Sequence, residues 1–303
     1  MGAQVITDKY GRRFTFLLSA IGFILGTLVM VTSGSLTALL AGRTLVGFGV
    51  GVGLAIDPIY IAEVTPPSHR GELVTLSEVA LNVGATLGFS SGWLLSNLED
   101  GLKWRAMLLM GAIMPTVMII LCLTIMPESP RWLIVKKREN EALQVLGKMY
   151  PDGFNVKSVV AEIEEADRRE RKTSMAVGWS FIYKPSPAVF RMLLVGVGAA
   201  VCQQLVGIDA IQYYLADVIA NSGIKTKRNQ SLLLMLLGIL KLLFVFVGGK
   251  TFDKQGRRVG LSISLVGMAG ALGIVSVAFT FHHGKWAAIM VIVGMAIYLS
   301  FFR

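Results

Sequence analysis

Charged residues, cysteine and histidine are all scarce in this sequence of 303 residues. Only 16% of the residues are charged, against about a quarter in an average globular protein, whereas 54% are apolar. A soluble protein of this length could not bury so much apolar surface, which excludes that class. Both cysteines, Cys122 and Cys202, lie in apolar runs, which excludes a disulfide-rich fold. What remains is a protein that crosses a membrane several times.

The few histidines and the distribution of charge exclude further classes. His69, His282 and His283 lack the spacing to cysteines or acids that a metal site needs, and no Ser-His-Asp or Cys-His arrangement is readable. We therefore expect that the protein binds no metal or cofactor and is not an enzyme. A net charge of +10 would suit nucleic acid. However, the basic residues collect in loops between uncharged segments, without interleaved aromatic residues, so nucleic acid is not expected as a partner.

Long apolar runs are the dominant feature of the sequence. A helix that crosses a bilayer needs about 20 mostly apolar residues, and alternating ten-residue segments typical of a membrane barrel are absent. The predicted spans are Phe14–Thr32, Leu36–Ile56, Leu73–Leu95, Arg105–Met126, Phe190–Tyr214, Ser231–Lys250, Val259–Phe281 and Trp286–Phe302. The glycines at 47, 49, 51 and 53 lack the lysine and hydroxyl residue of a phosphate loop, so we expect them to serve close helix packing, as for Gly22 and Gly26.

Lysine and arginine are distributed unevenly between alternate loops. One set of loops carries about 20 of them and the other carries 6. The smaller set is Lys103, Arg105, Lys225, Lys227, Arg228 and Lys285. The positive-inside rule places the richer loops in the cytoplasm. The richest of these, Arg131–Arg191, has a polar helical pattern that allows i,i+3 and i,i+4 ion pairs and predicts a solvated helical linker.

A short motif occurs twice, as DKYGRR at Asp8–Arg13 and as DKQGRR at Asp253–Arg258. Both copies fall in short predicted cytoplasmic turns, which indicates two parallel halves related by an axis along the membrane normal. The predicted domains are an N-terminal half over residues 1–130, a cytoplasmic helical linker over 131–189 and a C-terminal half over 190–303. Each half contains four predicted spans.

Further motifs follow in a fixed order. They are Gly42-Arg43, the series Pro58, Tyr60, Glu63, Pro66, Arg70 and Gly71, the run PESPRWL at Pro127–Leu133, and QQLVGIDA at Gln203–Ala210 followed by Tyr213 and Tyr214. With the repeated turn motif, this order resembles the sugar porter family of the major facilitator superfamily. At three positions, Glu78, Asp209 and Lys241, the sequence is similar to the plant-type polyol and monosaccharide proton symporters within that family.

The resemblance implies an all-α membrane bundle of the major facilitator superfamily, present in part, with about eight transmembrane helices. It also implies that the first span, nearly all of the second and the last two spans of a full member are absent. The implied function is secondary active transport of a monosaccharide or polyol, coupled to protons, by alternating access. A proton-independent facilitator and a non-transporting membrane sugar sensor are the alternatives. The resemblance leaves the oligomeric state open; the plasma membrane and the vacuolar membrane are the expected locations.

Polar side chains inside predicted spans are the candidate substrate-binding residues. A glutamine amide can both donate to and accept from the hydroxyl groups of a sugar. The candidates are Gln203, Gln204, Asp209, Tyr213, Glu78 and Lys241. We expect the glutamines and Asp209 to face the space between the halves, and Lys241 to pair with Glu78, Asp209 or both. Interhelical hydrogen bonds and purely structural ion pairs are the competing interpretations.

Charges at the predicted cytoplasmic ends of spans form a second group. Their number and mixed signs favour salt bridges that hold the inner faces of the halves together, although some could serve topology alone. The candidate gate residues are Asp8, Arg12, Arg13, Glu63, Arg70, Glu128, Arg131, Asp253, Arg257 and Arg258. Arg70 is predicted to pair with Asp253.

Overall fold

The computed structural model describes residues 2–66, 70–150, 156–177, 186–221, 226–255, 257–281 and 285–302. Over these ranges the chain is helical apart from short connections, as predicted. The helices are α1 Gly2–Tyr10, α2 Arg12–Thr32, α3 Leu36–Val64, α4 Arg70–Leu94, α5 Asp100–Gly111, α6 Ile113–Thr124, α7 Pro130–Val135, α8 Glu139–Met149, α9 Val156–Val177, α10 Pro187–Leu205, α11 Ile208–Asn221, α12 Lys227–Gln255, α13 Arg257–Phe281 and α14 Lys285–Phe301.

Six helical stretches in the described ranges are long and apolar enough to cross a membrane. They are Arg12–Thr32, Leu36–Val64, Gly101–Thr124, Pro187–Ala220, Lys227–Val245 and Val259–Thr280. Two predicted spans are not among them. The predicted span Trp286–Phe302 corresponds to α14, whose apolar stretch, Ile289–Phe301, is shorter than those six. The other corresponds to α4, which has 25 residues and is long enough to span a bilayer.

The chain divides into two compact units. The first contains residues 1–74 and 111–200, and the second contains residues 75–110 and 201–303. These groupings differ from the predicted halves, because residues 75–110 fall with the C-terminal spans. The boundaries of the halves therefore stay a prediction.

The helix pair α2 and α3 forms the centre of the first unit. Ser35 begins α3 by accepting a hydrogen bond from the Ala38 N–H at its side chain, as helix caps do. The two helices approach closely at glycines. A Cβ at Gly26 would lie 2.7 Å from the Gly42 carbonyl oxygen, and one at Gly49 would lie 2.8 Å from the Phe23 nitrogen. Such contacts allow backbones to pack together, as small residues do in membrane helices.

The packing explanation for the alternating glycines is correct only in part. A Cβ at Gly53 would meet the Ser19 hydroxyl at 2.9 Å, so this position is also a close contact. At Gly47 and Gly51, however, a Cβ would meet nothing within 4 Å in the described structure. The reason is helical periodicity, since residues two apart point in different directions around a helix.

The predicted linker is more than a solvated helix. Residues of α7 and α8 bury a small apolar core of Leu133, Ile134 and Ala142, against which Val160 and Ile163 of α9 pack. The exposed face of α9 carries the predicted ion pairs. These are Arg168 with Glu164 and Arg169 with Glu165.

In the second unit, α11 to α14 share one buried apolar core. It consists of Leu215, Ile219, Leu237, Met268, Ala271, Val275, Ala278, Val291, Met295, Tyr298 and Leu299. The Tyr298 hydroxyl donates to the Val206 carbonyl at 3.0 Å, which ties α14 to the residues just before α11. Helix α4 packs on α12, where a Cβ at Gly238 would meet Phe89 at 3.2 Å and Thr86 at 3.3 Å.

Candidate functional site

A buried ion pair lies at the beginning of α2. The guanidinium of Arg12 binds the Glu63 carboxylate with two hydrogen bonds, Nε to Oε2 at 2.7 Å and Nη2 to Oε1 at 2.6 Å. The two side chains are only 10% and 8% exposed. Asp8, one turn earlier, lies 3.7 Å from the same guanidinium. This two-point geometry is the strongest form of arginine–carboxylate pairing, and it fixes the start of α2 to the end of α3.

Glu128 caps the same end of α2. Its carboxylate accepts hydrogen bonds from the backbone N–H groups of Arg12 at 2.7 Å and of Ser129 at 3.0 Å, with a further longer contact to Arg13. An acid here satisfies helix N–H groups that have no intrahelical acceptor and interacts favourably with the positive end of the helix dipole. The PESPR run thus contributes a capping carboxylate as well as charge.

Gly11 provides the space for this carboxylate. Its φ of 97° lies in the left-handed region that favours glycine, and a Cβ here would clash with the Glu128 Oε2. Conformation and space therefore both require glycine between α1 and α2. The motif DKYGRR predicted a charged turn but not that glycine is required at position 11. The feature of the sequence that could have indicated it is a glycine directly before two basic residues at a helix start.

Arg13 binds the last turn of α6. Its guanidinium donates to the carbonyl oxygens of Cys122, at 2.5 Å, and Leu123, at 2.8 Å. These carbonyls lie near the end of a helix, where a cation is favourable. Tyr60 of α3 adds a hydrogen bond from its hydroxyl to the Pro127 carbonyl at 3.0 Å. Every residue type has a backbone carbonyl, so these acceptors cannot be identified from the sequence.

Five of the ten predicted gate residues therefore meet in one cluster: Asp8, Arg12, Arg13, Glu63 and Glu128. We call it the charge cluster. All its described contacts join elements of the first unit. Arg131 lies in α7, the helix that follows Glu128. The side chains of Arg70, Asp253, Arg257 and Arg258 lie outside the described residues, so the Arg70–Asp253 pair and a lock between the halves stay predictions.

The candidate substrate residues lie around a break in a membrane helix. The predicted span Phe190–Tyr214 lies within the apolar stretch Pro187–Ala220, but the break in it was not predicted. The first helix, α10, ends at Leu205 and α11 begins at Ile208. Gly207 adopts a φ of 79°, which a right-handed helix cannot contain, and its N–H donates to the Gln204 carbonyl. Gln203 and Gln204 occupy the last turn of α10.

The residues just before the break, 200–205, are all exposed, apolar and polar alike. Gln203 and Gln204 are exposed, and Tyr213 of α11 is 74% exposed. Asp209 is the second residue of α11, and its side chain lies outside the described residues. A broken helix frees backbone N–H and C=O groups that can bind ligands, which is how discontinuous helices form transporter sites.

Glu78 and Lys241 lie in different environments. Glu78 in α4 is exposed, and its backbone carbonyl accepts a hydrogen bond from the Asn82 side chain at 2.7 Å. Lys241 in α12 is 9% exposed, with its Nζ 5.6 Å from the centroid of the Phe302 ring. The pairing of Lys241 with Glu78 or Asp209 stays a prediction. Nearby, a cavity of about 380 Å³ between α12 and α14 is lined almost wholly by apolar groups, such as Leu240 and Phe244, and suits no sugar.

A family model described as "Sugar (and other) transporter" matches residues 1–303, the whole chain. The chain belongs to this sugar transporter family. Probable polyol transporter 4 of Arabidopsis thaliana is 36% identical over 275 residues, which cover 91% of this chain and 52% of the relative. Polyol transporter 5 of the same plant is 32% identical over 314 residues, which cover 98% of this chain and 58% of the relative.

The fold comparison agrees with the family. A solved structure of the proton:xylose symporter XylE, of the major facilitator superfamily, matches 98% of this chain and 65% of its own length, with a TM-score of 0.82 at 25% identity. The chain is therefore a multi-pass membrane protein with a helical fold of this superfamily, as predicted. The family and these relatives are transporters rather than enzymes, again as predicted. The chain spans about half the length of the curated relatives it matches.

Proposed function

We propose that this sugar transporter family member carries a polyol or a monosaccharide across a membrane together with protons. The observation that carries the proposal is the match of the whole chain to the family, joined to relatives described as polyol transporters. The likeness to a proton:xylose symporter favours proton coupling over the proton-independent facilitator. Protons are the coupling ion and no other cofactor is involved. The plasma membrane or the vacuolar membrane is the proposed location.

The proposed substrate site is the break between α10 and α11. Gln203 and Gln204 offer amide donors and acceptors to substrate hydroxyl groups, and the exposed Tyr213 offers an apolar face with a polar tip. On α4, the buried Oδ1 of Asn82 and the buried Oγ of Ser77 have no hydrogen-bond partner among the described residues. Buried polar groups generally find partners, so these atoms are further candidates to bind hydroxyl groups or water.

Proton coupling is assigned to Glu78, Asp209 and Lys241. Together the two acids and the base have a surplus of one negative charge, which a bound proton would neutralise. Loss of this charge favours a closed, rearranged state, because closing the site removes water from the acid that carries the proton.

The charge cluster is assigned to the gate on the predicted cytoplasmic side. Exposed ion pairs contribute less than about 1 kcal/mol each, so several are needed to hold a closed state. Arg12 and Glu63 are buried and joined by two hydrogen bonds, so they form the fixed base of this network. The exposed Asp8 and the charges of the second repeat, Asp253–Arg258, are the partners that separate when the cavity opens inward.

Substrate binding by purified protein tests the site directly. Linear polyols and monosaccharides are titrated against the protein in detergent, and the Kd is measured by calorimetry. Gln203→Ala should weaken binding about fivefold, because one hydrogen bond to a substrate hydroxyl contributes about 1 kcal/mol to the binding free energy. Gln144→Ala, in an exposed position of α8, is the matched control. An unchanged Kd for Gln203→Ala would remove this residue from the site.

A further inference from the structure

Aromatic residues mark one edge of the first unit, where α1 meets α2. Tyr10 and Phe14 are 51% and 46% exposed, and their ring centroids lie 5.2 Å apart. Exposed aromatic rings at the end of a membrane span are typical of the boundary between hydrocarbon and headgroups. The Nζ of Lys9 lies 5.1 Å from the centre of the Tyr10 ring, so this lysine lies at the same level.

A second lysine lies beside this edge on the linker. The Trp132 indole N–H donates to the Asp8 carbonyl oxygen at 3.1 Å, which fixes α7 against α1. Lys136 places its Nζ 5.7 Å from the centre of the Trp132 ring. Lys9 and Lys136 are both exposed, and each lies over an aromatic ring. Two ammonium groups therefore lie at this aromatic edge, one over the Tyr10 ring and one over the Trp132 ring.

The next residue, Lys137, adopts an unfavourable backbone conformation. It is the one residue other than glycine with a positive φ, 62°, in the described chain. Its N–H donates to the Ile134 carbonyl and the Arg138 N–H to the Leu133 carbonyl, a helix ending in which glycine is the preferred residue. Lysine is less favourable than glycine here because of its Cβ, and the residue at this position is exposed.

The acids near these lysines leave the surface positive. Arg138 binds Glu141 with two hydrogen bonds, so that these two charges cancel. Asp8 lies 3.7 Å from the guanidinium of Arg12. The two-point partner of Arg12 is Glu63, so Asp8, which is 62% exposed, keeps its negative charge. Glu139 is a second exposed acid beside the lysines. Three lysines against these two acids leave a surplus of one positive charge. We call Lys9, Lys136 and Lys137 the lysine edge.

We infer that the lysine edge binds the headgroups of anionic phospholipids in the leaflet on its side of the membrane. The positive-inside rule places this edge in the cytoplasm, where the leaflet is anionic. Three exposed ammonium groups beside an aromatic boundary match a surface of phosphate and carboxylate groups. The inference concerns the surrounding membrane and does not depend on the substrate proposed above.

The test measures lipid affinity in the purified full chain, held in phosphatidylcholine nanodiscs. Short-chain phosphatidylserine is the probe and short-chain phosphatidylcholine is the neutral reference. A lysine near an anionic surface is worth about a fivefold change in affinity. Lys137→Gly should therefore weaken phosphatidylserine binding about fivefold. The double variant Lys9→Gln with Lys136→Gln should weaken it by about 25-fold. Binding should also weaken as salt is raised.

Three results would overturn the inference, and one control separates it from a general effect of charge. Lys157→Gln removes an exposed lysine on α9 and should leave the affinity unchanged. If it lowers affinity as much as Lys137→Gly does, the lysine edge is not a specific surface. Unchanged binding in the double variant also contradicts the inference. Displacement of the lipid by inorganic phosphate at equal concentration would indicate a site for small anions instead. Thermal unfolding confirms that each variant folds.

Discussion

At the scale of single residues, the charge cluster depends on pairs that are buried rather than merely opposite in sign. Arg12 and Glu63 exclude solvent from their contact, whereas Arg138 and Glu141 form a similar two-point pair with both side chains 50% exposed. Removing one member of a buried pair leaves an uncompensated charge in a poorly solvated place. Removing one member of an exposed pair leaves a charge that water solvates.

This contrast gives the first prediction. Glu63→Gln should destabilise the protein by about 3 kcal/mol, since the Arg12 guanidinium keeps its charge and loses its partner. Glu141→Gln should change stability by less than about 1 kcal/mol. Thermal unfolding in detergent, followed by circular dichroism, compares the two variants with the parent. Equal shifts in Tm would show that burial of the Arg12–Glu63 pair has no energetic role.

The second prediction concerns Gly11. Gly11→Ala should destabilise by about 2 kcal/mol or more, because the new methyl group meets Glu128 and the positive φ is strained for alanine. Gly47→Ala is the matched control, since a Cβ there meets nothing within 4 Å in the described structure. Within a helix, replacing glycine by alanine raises the free energy of unfolding by up to about 1 kcal/mol. Opposite signs of the two changes in Tm are the expected result; a harmless Gly11→Ala would contradict it.

At the scale of helices, apolar runs in the sequence predicted most of the membrane helices. They did not predict where a single residue ends a helix. The runs before and after Gly207 are both apolar, so hydropathy predicts one span over Phe190–Tyr214. The break arises from a left-handed backbone at Gly207, and a glycine inside a helical pattern does not reveal whether it takes that conformation. The same limit applies to Gly11, whose neighbours predicted a turn without its steric constraint.

The polar contacts show a second limit of the sequence. The motifs assigned Asp8, Arg12, Arg13, Glu63 and Glu128 to the predicted cytoplasmic ends of spans, and the structure brings these five residues together. They did not indicate that Glu128 would cap α2 through backbone N–H groups, or that Arg13 would bind carbonyls of α6. Every residue has these backbone groups, so only the three-dimensional path of the chain selects the ones that bind.

The third prediction tests the helix break. Gly207→Ala should destabilise the break by about 1 to 2 kcal/mol, because alanine disfavours the left-handed conformation. If the break positions Gln203 and Gln204 for substrate, polyol binding weakens as well. Gly198→Ala, in the interior of α10 with no neighbouring atom within 4 Å of its Cβ in the described structure, should preserve binding. Binding by Gly207→Ala equal to that of the parent would separate the break from the substrate site.

At the scale of the whole molecule, the chain belongs to a family of transporters and contains a break within a membrane helix. The composition alone excludes soluble classes, and the order of motifs led to the family that the whole-chain match confirms. Selectivity for a substrate and for a coupling ion depends on how the helices assemble around a cavity, so motifs alone do not determine it. The proposals of a polyol substrate and of proton coupling therefore rest on relatives described as polyol transporters and on a proton:xylose symporter.

Uptake driven by a proton gradient tests the central proposal most directly. The purified chain is reconstituted into liposomes, an inward proton gradient is imposed, and entry of radiolabelled polyols and monosaccharides is measured. Collapse of the gradient with a protonophore is the control. We predict saturable accumulation of a polyol or a monosaccharide that the protonophore abolishes. Saturable uptake that persists unchanged without the gradient would contradict proton coupling. Uptake no faster than into protein-free liposomes would contradict the proposal that this chain transports these substrates.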